Sequence, residues 1–161
     1  MDLMTPEQRS RCMAAVKGKD TKPEMIVRKY LFSRGLRYRL HDKKLPGSPD
    51  IVLKKYKTVI FIDGCFWHGH EGCRYFKMPK SNEFFWEQKI RRNKARDIAN
   101  DYVLQTEGWR VIRVWECEIR KVAAREKVLE SLYNQIVKPA LSYGVEETTH
   151  EIAAEPEEEY N

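Results

Sequence analysis

The alternation of apolar and polar positions changes period several times along this chain, and each change marks an element. Thr5-Pro6-Glu7-Gln8 offers a capping Thr, a Pro in the first turn and a Gln shortly after, which predicts a helix running to Lys17 and stopping at Gly18. Thr21-Lys22-Pro23-Glu24 repeats the signature, and the stripe Ile26, Val27, Tyr30 and Leu31 carries a second helix to Gly35. Residues 38–40 read as a short strand, and LPGSP after them as a turn. Residues 50–53 and 57–63 are apolar runs of strand length joined by a tight Lys-Lys-Tyr link. Polar positions dominate 81–107, a long helix with Gly108 as its stop and Lys89, Arg91, Arg92, Lys94 and Arg96 along it. WRVIRVWE, residues 109–116, is predicted as a buried strand, and 118–137 as the last helix. The order helix, helix, three strands, helix, strand, helix predicts one mixed α/β domain in which the basic helix crosses between strands.

Chemistry gathers where the third strand ends. Residues 61–73 read FIDGCFWHGHEGC, so Cys65, His68, His70 and Cys73 follow within nine residues of the Gly that breaks the apolar run. Cys117 lies just past the WRVIRVWE strand. If that strand pairs with the one ending at Asp63, Cys117 reaches the loop, and three thiolates with one imidazole complete a closed, structural zinc site. Such a site has room for one His beside three Cys. Nearness to Cys73 favours His70 and leaves His68 free for other work.

Pro49-Asp50 opens one strand and Asp63 ends the next, 13 residues later. Two carboxylates at the ends of adjacent strands suit a hard ion such as Mg²⁺, which polarises a phosphate and activates water. Pro-Asp followed by an acid on the next strand is the opening of the PD-(D/E)XK nuclease pattern. The expected Lys is missing after Asp63, and His68 is the candidate to replace it as the base. Glu24 is accounted for as the capping-box partner of Thr21, and a second role requires its side chain to turn inward. Phe66, Trp67 and Trp86 fall outside the apolar runs of the sheet. Flat rings on a metal-braced loop beside Lys and Arg suit a wedge driven between base pairs.

Charge sharpens the picture. The final stretch, VEETTHEIAAEPEEEYN, holds seven Glu and no Lys or Arg; removing it from a formal net charge of +6 leaves residues 1–144 at +13. A domain over residues 1–140 followed by an acidic tail over 141–161, expected to be disordered, is the predicted organisation. So basic a body points to nucleic acid as partner. No stretch reaches the roughly 18 apolar residues of a membrane helix, and the charged N-terminus does not read as a signal peptide. A cytoplasmic, bacterial-style protein without membrane contact is expected. Four cysteines in such a compartment read as metal ligands before disulfides, with Cys12 left for the core.

GCFWHGHEGC, with LPGSPDIV before it and FKMP, FWEQKI and RVIRVWEC after, closely resembles the very short patch repair (Vsr) endonucleases over roughly residues 5–137. The resemblance implies a restriction-endonuclease-like fold of the PD-(D/E)XK superfamily, with a mixed sheet flanked by helices and a structural zinc. It implies a Mg²⁺-dependent enzyme that nicks DNA on the 5′ side of the T in a T:G mismatch left by deamination of 5-methylcytosine. Carried over by position, Asp50 and the main-chain carbonyl of Ile62 hold Mg²⁺, His68 is the catalytic His and Glu24 is an acid near the active site. Phe66, Trp67 and Trp86 match residues that intercalate from the major groove, and Met13 one that enters from the minor groove. Lys89 and Asn93 match positions near the mismatched bases, and the zinc ligands are Cys65, His70, Cys73 and Cys117. Asp63 stands where the best-known family pattern has a His. It is open to pairing with His68 or to serving as a further Mg²⁺ ligand. Mismatched duplex and other mismatch-repair proteins are the expected partners of a monomer. Two rival readings stay open: a zinc-stabilised DNA-binding module without cleavage, and a nuclease of the same fold acting on another lesion or site.

Overall fold

A computed structural model describes residues 4–14 and 19–154, apart from the side chains of Arg9, Met13, Ala14 and residues 139–154. The expected end of the first helix at 17–18, the side chain of Met13 and tail residues 155–161 lie outside the described residues. Helix α1 covers Pro6–Ala14 and α2 Lys22–Ser33. Both start as their capping residues predict. Gln8 N–H donates to Thr5 Oγ1 at 3.1 Å, and Thr21 Oγ1 accepts from Glu24 N–H at 3.4 Å. Cys12, expected in the core, is exposed on α1. The helix that carries it presents polar residues on most sides and buries none that are described.

Four strands form a sheet in the order β1-β2-β3-β4: β1 Arg39–Leu40, β2 Ile51–Leu53, β3 Thr58–Asp63 and β4 Arg110–Trp115. A 3₁₀ turn over Lys54–Tyr56 ends at Lys57 in the left-handed region and joins β2 to β3 antiparallel. Strand β4 runs parallel to β3, with Asp63 opposite Trp115. Parallel neighbours need a crossover, and helix α3, Glu83–Thr106, supplies it. Strand β4 is a sheet edge and mostly half-buried, not the buried strand its apolar content suggests. Arg110 covers part of the exposed end by donating to the carbonyls of Gln135 and Ile136 at 2.6 and 2.7 Å.

Strand alternation divides the core. Ile51, Leu53, Ile60 and Val114 face α2 and the C-terminal helices, packing with Val27, Leu31, Ile119, Leu132 and Ile136. Val52, Val59 and Phe61 face the other way, against Leu104 of α3. By the same parity Asp50, Asp63 and Arg113 project to the α3 side. The predicted last helix is two helices, α4 over Glu116–Arg120 and α5 over Val122–Ala154, because Lys121 takes an extended conformation between them. Glu118 Oε1 accepts from Trp115 N–H at 3.0 Å to start α4, and the Arg125 side chain donates to Ile119 O at its end. This short helix turns Cys117 toward the loop after β3 while burying Ile119 in the core.

Candidate active site and metal centre

A Cys/His cluster able to hold a metal is assembled by the β3–β4 pairing. Ligand atoms of Cys65, His70, Cys73 and Cys117 all lie within 4.8 Å of one another. Cys117 Sγ sits 3.5 Å from His70 Nδ1, the edge expected of a tetrahedron around an ion with bonds of about 2.3 Å to S and 2.05 Å to N. Burial pushes the Cys65 and Cys117 thiols up, while at Cys73 desolvation is outweighed by hydrogen bonds from the main chain and from neighbouring thiols, which lower it. A cation would favour the thiolate form of all three. The His70 ring stacks on Trp115, with centroids 4.0 Å apart and planes 2° apart, which fixes the orientation of the imidazole. Three thiols and one imidazole form the donor set of a closed tetrahedral site, and His68 takes no part in it.

The loop between these ligands is pressed onto α3. Gly69 has φ +61°, and a Cβ there would meet Lys94 Cε at 2.5 Å and Ile90 Cγ2 at 2.7 Å. Asn93, almost fully buried, donates to Trp67 O at 2.8 Å from the same helix face. Phe66, Trp67 and Trp86 meet edge-on, with centroids 5.1, 5.4 and 5.9 Å apart, and each remains half-buried. Phe85, more than half exposed, continues the cluster at 5.2 Å from Trp86. Lys89 lies one turn before Asn93, half-buried. In this arrangement Asn93 holds the aromatic loop, a contact that its position in the sequence did not announce.

Beside the metal centre opens a cleft of about 430 Å³ lined by Asp50, Phe61, Ile62, Asp63, His68 and Asp97, among others. Asp50 Oδ2 accepts from the Ile62 N–H at 2.7 Å. Among the described residues its carboxylate makes no ion pair. Burial pushes its pKa up to about 6, partly offset by the Ile62 bond. A buried carboxylate so raised, with the main chain of Ile62 at its side, fits a site for a divalent cation.

His68 stands across the cleft. Its Nδ1 lies 2.5 Å from Asp97 Oδ2, and its Nε2 3.7 Å from Asp63 Oδ1. Burial works against the charged imidazole, but the bond to Asp97 and the charge of Asp63 outweigh it and raise the His68 pKa. Burial also raises the Asp63 pKa, against the pull of His68 and Arg113. Asp97, Asp101 and Arg113 were not anticipated. A faint signal existed, since Asn93, Asp97 and Asp101 recur every four residues on α3, the spacing of one helix face.

Glu24 occupies the far side of Asp50. It continues the Val27–Leu31 stripe of α2 and is buried, so the inward turn required for a second role is met while its N–H still caps on Thr21. Both of its oxygens are engaged: Oε1 by the Asp20 N–H at 2.9 Å, Oε2 by His41 Nε2 at 2.6 Å and Arg28 at 3.1 Å. His41 adopts φ +47° and donates its own N–H to Asp50 O.

Residues 1–74 match the family model described as DNA mismatch endonuclease Vsr. The type II nicking enzyme V.NmeAIP of Neisseria meningitidis serogroup A is 50% identical over 135 residues, 84% of this chain and 96% of that protein. The chain belongs to the Vsr family of DNA mismatch endonucleases. The type II nicking enzyme V.XorIIP of Xanthomonas oryzae is 47% identical over 131 residues, 81% of this chain and 96% of the relative. The DNA mismatch endonuclease Vsr of Escherichia coli K12 is 42% identical over 129 residues, 80% of each chain. Membership in the Vsr family makes this chain a DNA endonuclease with a mixed α/β fold. No described helix is long and apolar enough to cross a membrane.

Two stability outcomes follow from the geometry. A folded pKa of about 6 for Asp50 means that ionisation is penalised in the fold, so this group's contribution to stability is present below its unfolded pKa and lost as pH rises through 6. Asp50→Asn keeps an acceptor for Ile62 and removes the charge. It should stabilise the metal-free protein at pH 7 by on the order of 2 kcal/mol, seen as a raised Tm, with the difference vanishing near pH 4. Gly69→Ala should cost about 2 kcal/mol through left-handed strain and contact with α3, measured by denaturant unfolding.

Proposed function

We propose that this Vsr-family endonuclease nicks one strand of duplex DNA on the 5′ side of the T in a T:G mismatch, with Mg²⁺ at Asp50 and zinc at the cysteine cluster. The observation that carries the reading is Asp50. It is a buried carboxylate raised by desolvation, without an ion pair among the described residues, in a cleft that also holds His68. A DNA-binding module without cleavage has no use for that penalty. Asp50 and the Ile62 carbonyl would hold Mg²⁺, which when bound polarises the scissile phosphate and offsets its developing charge. His68, oriented by Asp97, accepts the proton of the attacking water. Of the two roles open to Asp63, its contacts with Arg113 favour pairing beside His68 over metal ligation. Glu24, locked by Arg28 and His41, supports the position of Asp50 from behind.

Recognition follows from the aromatic cluster. Unstacking a base step costs a few kcal/mol, least where pairing is already poor. Phe66, Trp67 and Trp86 would insert from the major groove as a preassembled wedge, with Met13 entering from the minor groove. Lys89 and Asn93 lie near the opened bases. Zinc at Cys65, His70, Cys73 and Cys117 stiffens the loop against that load. The name of the Escherichia coli relative, a DNA mismatch endonuclease, and those of the type II nicking enzymes support mismatch nicking over action on another site.

A nicking assay on duplexes differing at a single T:G or C:G pair tests the reading. Asp50→Ala should abolish Mg²⁺-dependent nicking while T:G-duplex affinity survives, and persistent nicking would overturn the assignment. Trp67→Ala should weaken binding of mismatched duplex by about tenfold or more relative to matched duplex; equal losses on both would remove the wedge. Cys117→Ser should abolish stoichiometric zinc by elemental analysis and lower Tm, whereas a variant that retains full zinc would exclude Cys117 as a ligand.

A further inference from the structure

We propose that Arg113 is a positioning residue of the nicking reaction, holding Asp63, one of the two carboxylates that flank His68, and thereby the pose of that imidazole over the cleft. The inference rests on the reading of His68 as the base. Arg113 Nη1 donates to both Asp63 oxygens at 3.0 and 2.9 Å. Its Nε and Nη2 grip Asp101 at 3.0 and 2.7 Å, and Nη2 lies 3.8 Å from Asp97 Oδ1. One guanidinium therefore ties β3, β4 and α3 together around His68. The fork geometry matters, because a single ammonium cannot grip two carboxylates side-on.

Fold stability gives little reason for this arrangement. Arg113 stacks over Phe61 with 4.1 Å to the ring centroid, on the face where Val52, Val59 and Leu104 build an apolar core. Replacing a buried charge network with apolar side chains there would be neutral or stabilising in many proteins. Its consequence for His68 is more specific. Asp97 accepts from the Nδ1 side, which leaves Nε2 as the atom facing water in the cleft. Asp63 sits 3.7 Å from Nε2, beyond hydrogen-bond length, because Arg113 engages both of its oxygens. Released, Asp63 would swing onto Nε2 and occupy the position of the attacking water.

Arg113→Met and Arg113→Lys test this in the full chain. Expected is a single-turnover nicking rate on T:G duplex lowered by about 30- to 100-fold, since small misplacements of a reacting group cost about that much, with duplex affinity within about threefold of wild type. Adding Asp63→Asn to Arg113→Met removes the released carboxylate and should recover at least about fivefold of that rate. Rate recovery without a matching rise in Tm separates this from a purely structural Arg113, for which relief of the buried unpaired carboxylate would restore both together. In the free protein, the ¹⁵N resonances of the His68 ring should report an open Nε2 in wild type and an engaged one in Arg113→Met. Wild-type rates in both variants, parallel loss of rate and affinity with falling Tm, or an unchanged His68 spectrum would each overturn the proposal. Should wild type fail to nick T:G duplex, the functional reading falls, and the His68 spectrum alone decides the role of Arg113.

Discussion

The parallel pairing of β3 with β4 is the contact on which the rest of the site depends. Its register sets Asp63 opposite Trp115 and Phe61 opposite Arg113. From that single alignment Trp115 arrives under His70, Cys117 arrives beside Cys65, and Arg113 arrives between Asp63 and α3. A slip of one residue would turn every β4 side chain to the opposite face. Arg113 would then enter the apolar layer against α5, and Trp115 would leave the His70 ring. The Cys/His cluster draws its members from the ends of both strands, so a metal held there would pin the same register.

Much of this was legible because it depended on local chemistry. Capping residues announced α2, the short apolar runs announced β2 and β3, and clustered Cys and His announced the loop-borne part of the Cys/His cluster, Cys65, His70 and Cys73. Each of those signals lies within about a dozen residues. The break between α4 and α5 was not legible: Lys121 has no intrinsic reason to leave the helical region, and the turn is imposed by Cys117 and Ile119 being required in two different places. Nor was the helix-borne part of the site. On a helix as charged as α3, Asp97 and Asp101 look like solvent-facing partners of nearby Arg and Lys. Their role follows from the crossover, which lays that helix face over the strand face carrying Asp63. Arg113 was hidden by the strand itself, since an Arg in an apolar run reads as an interruption at an edge. His41 and Arg28 were missed because their partner, Glu24, already had a sufficient explanation as a cap.

The distribution of charge explains how a basic DNA-binding body tolerates three acids lining one cleft, with Glu24 and Asp101 behind them. Carboxylates facing a phosphodiester repel it, and the repulsion grows as the site desolvates. Four of the five are matched within the protein: Glu24 by Arg28, Asp63 and Asp101 by Arg113, and Asp97 by His68. Each pairing reduces the negative field of the site without cancelling it. Asp50 is the exception, raised by burial and held by a main-chain N–H alone. Asp50 therefore stands as an isolated excess of negative charge at one rim of the sheet. On the proposed function, a divalent cation at Asp50 would offset that excess together with the charge of the phosphate facing it. The same unmatched carboxylate that weakens the free fold would then favour a metal-bound phosphodiester over a bare one.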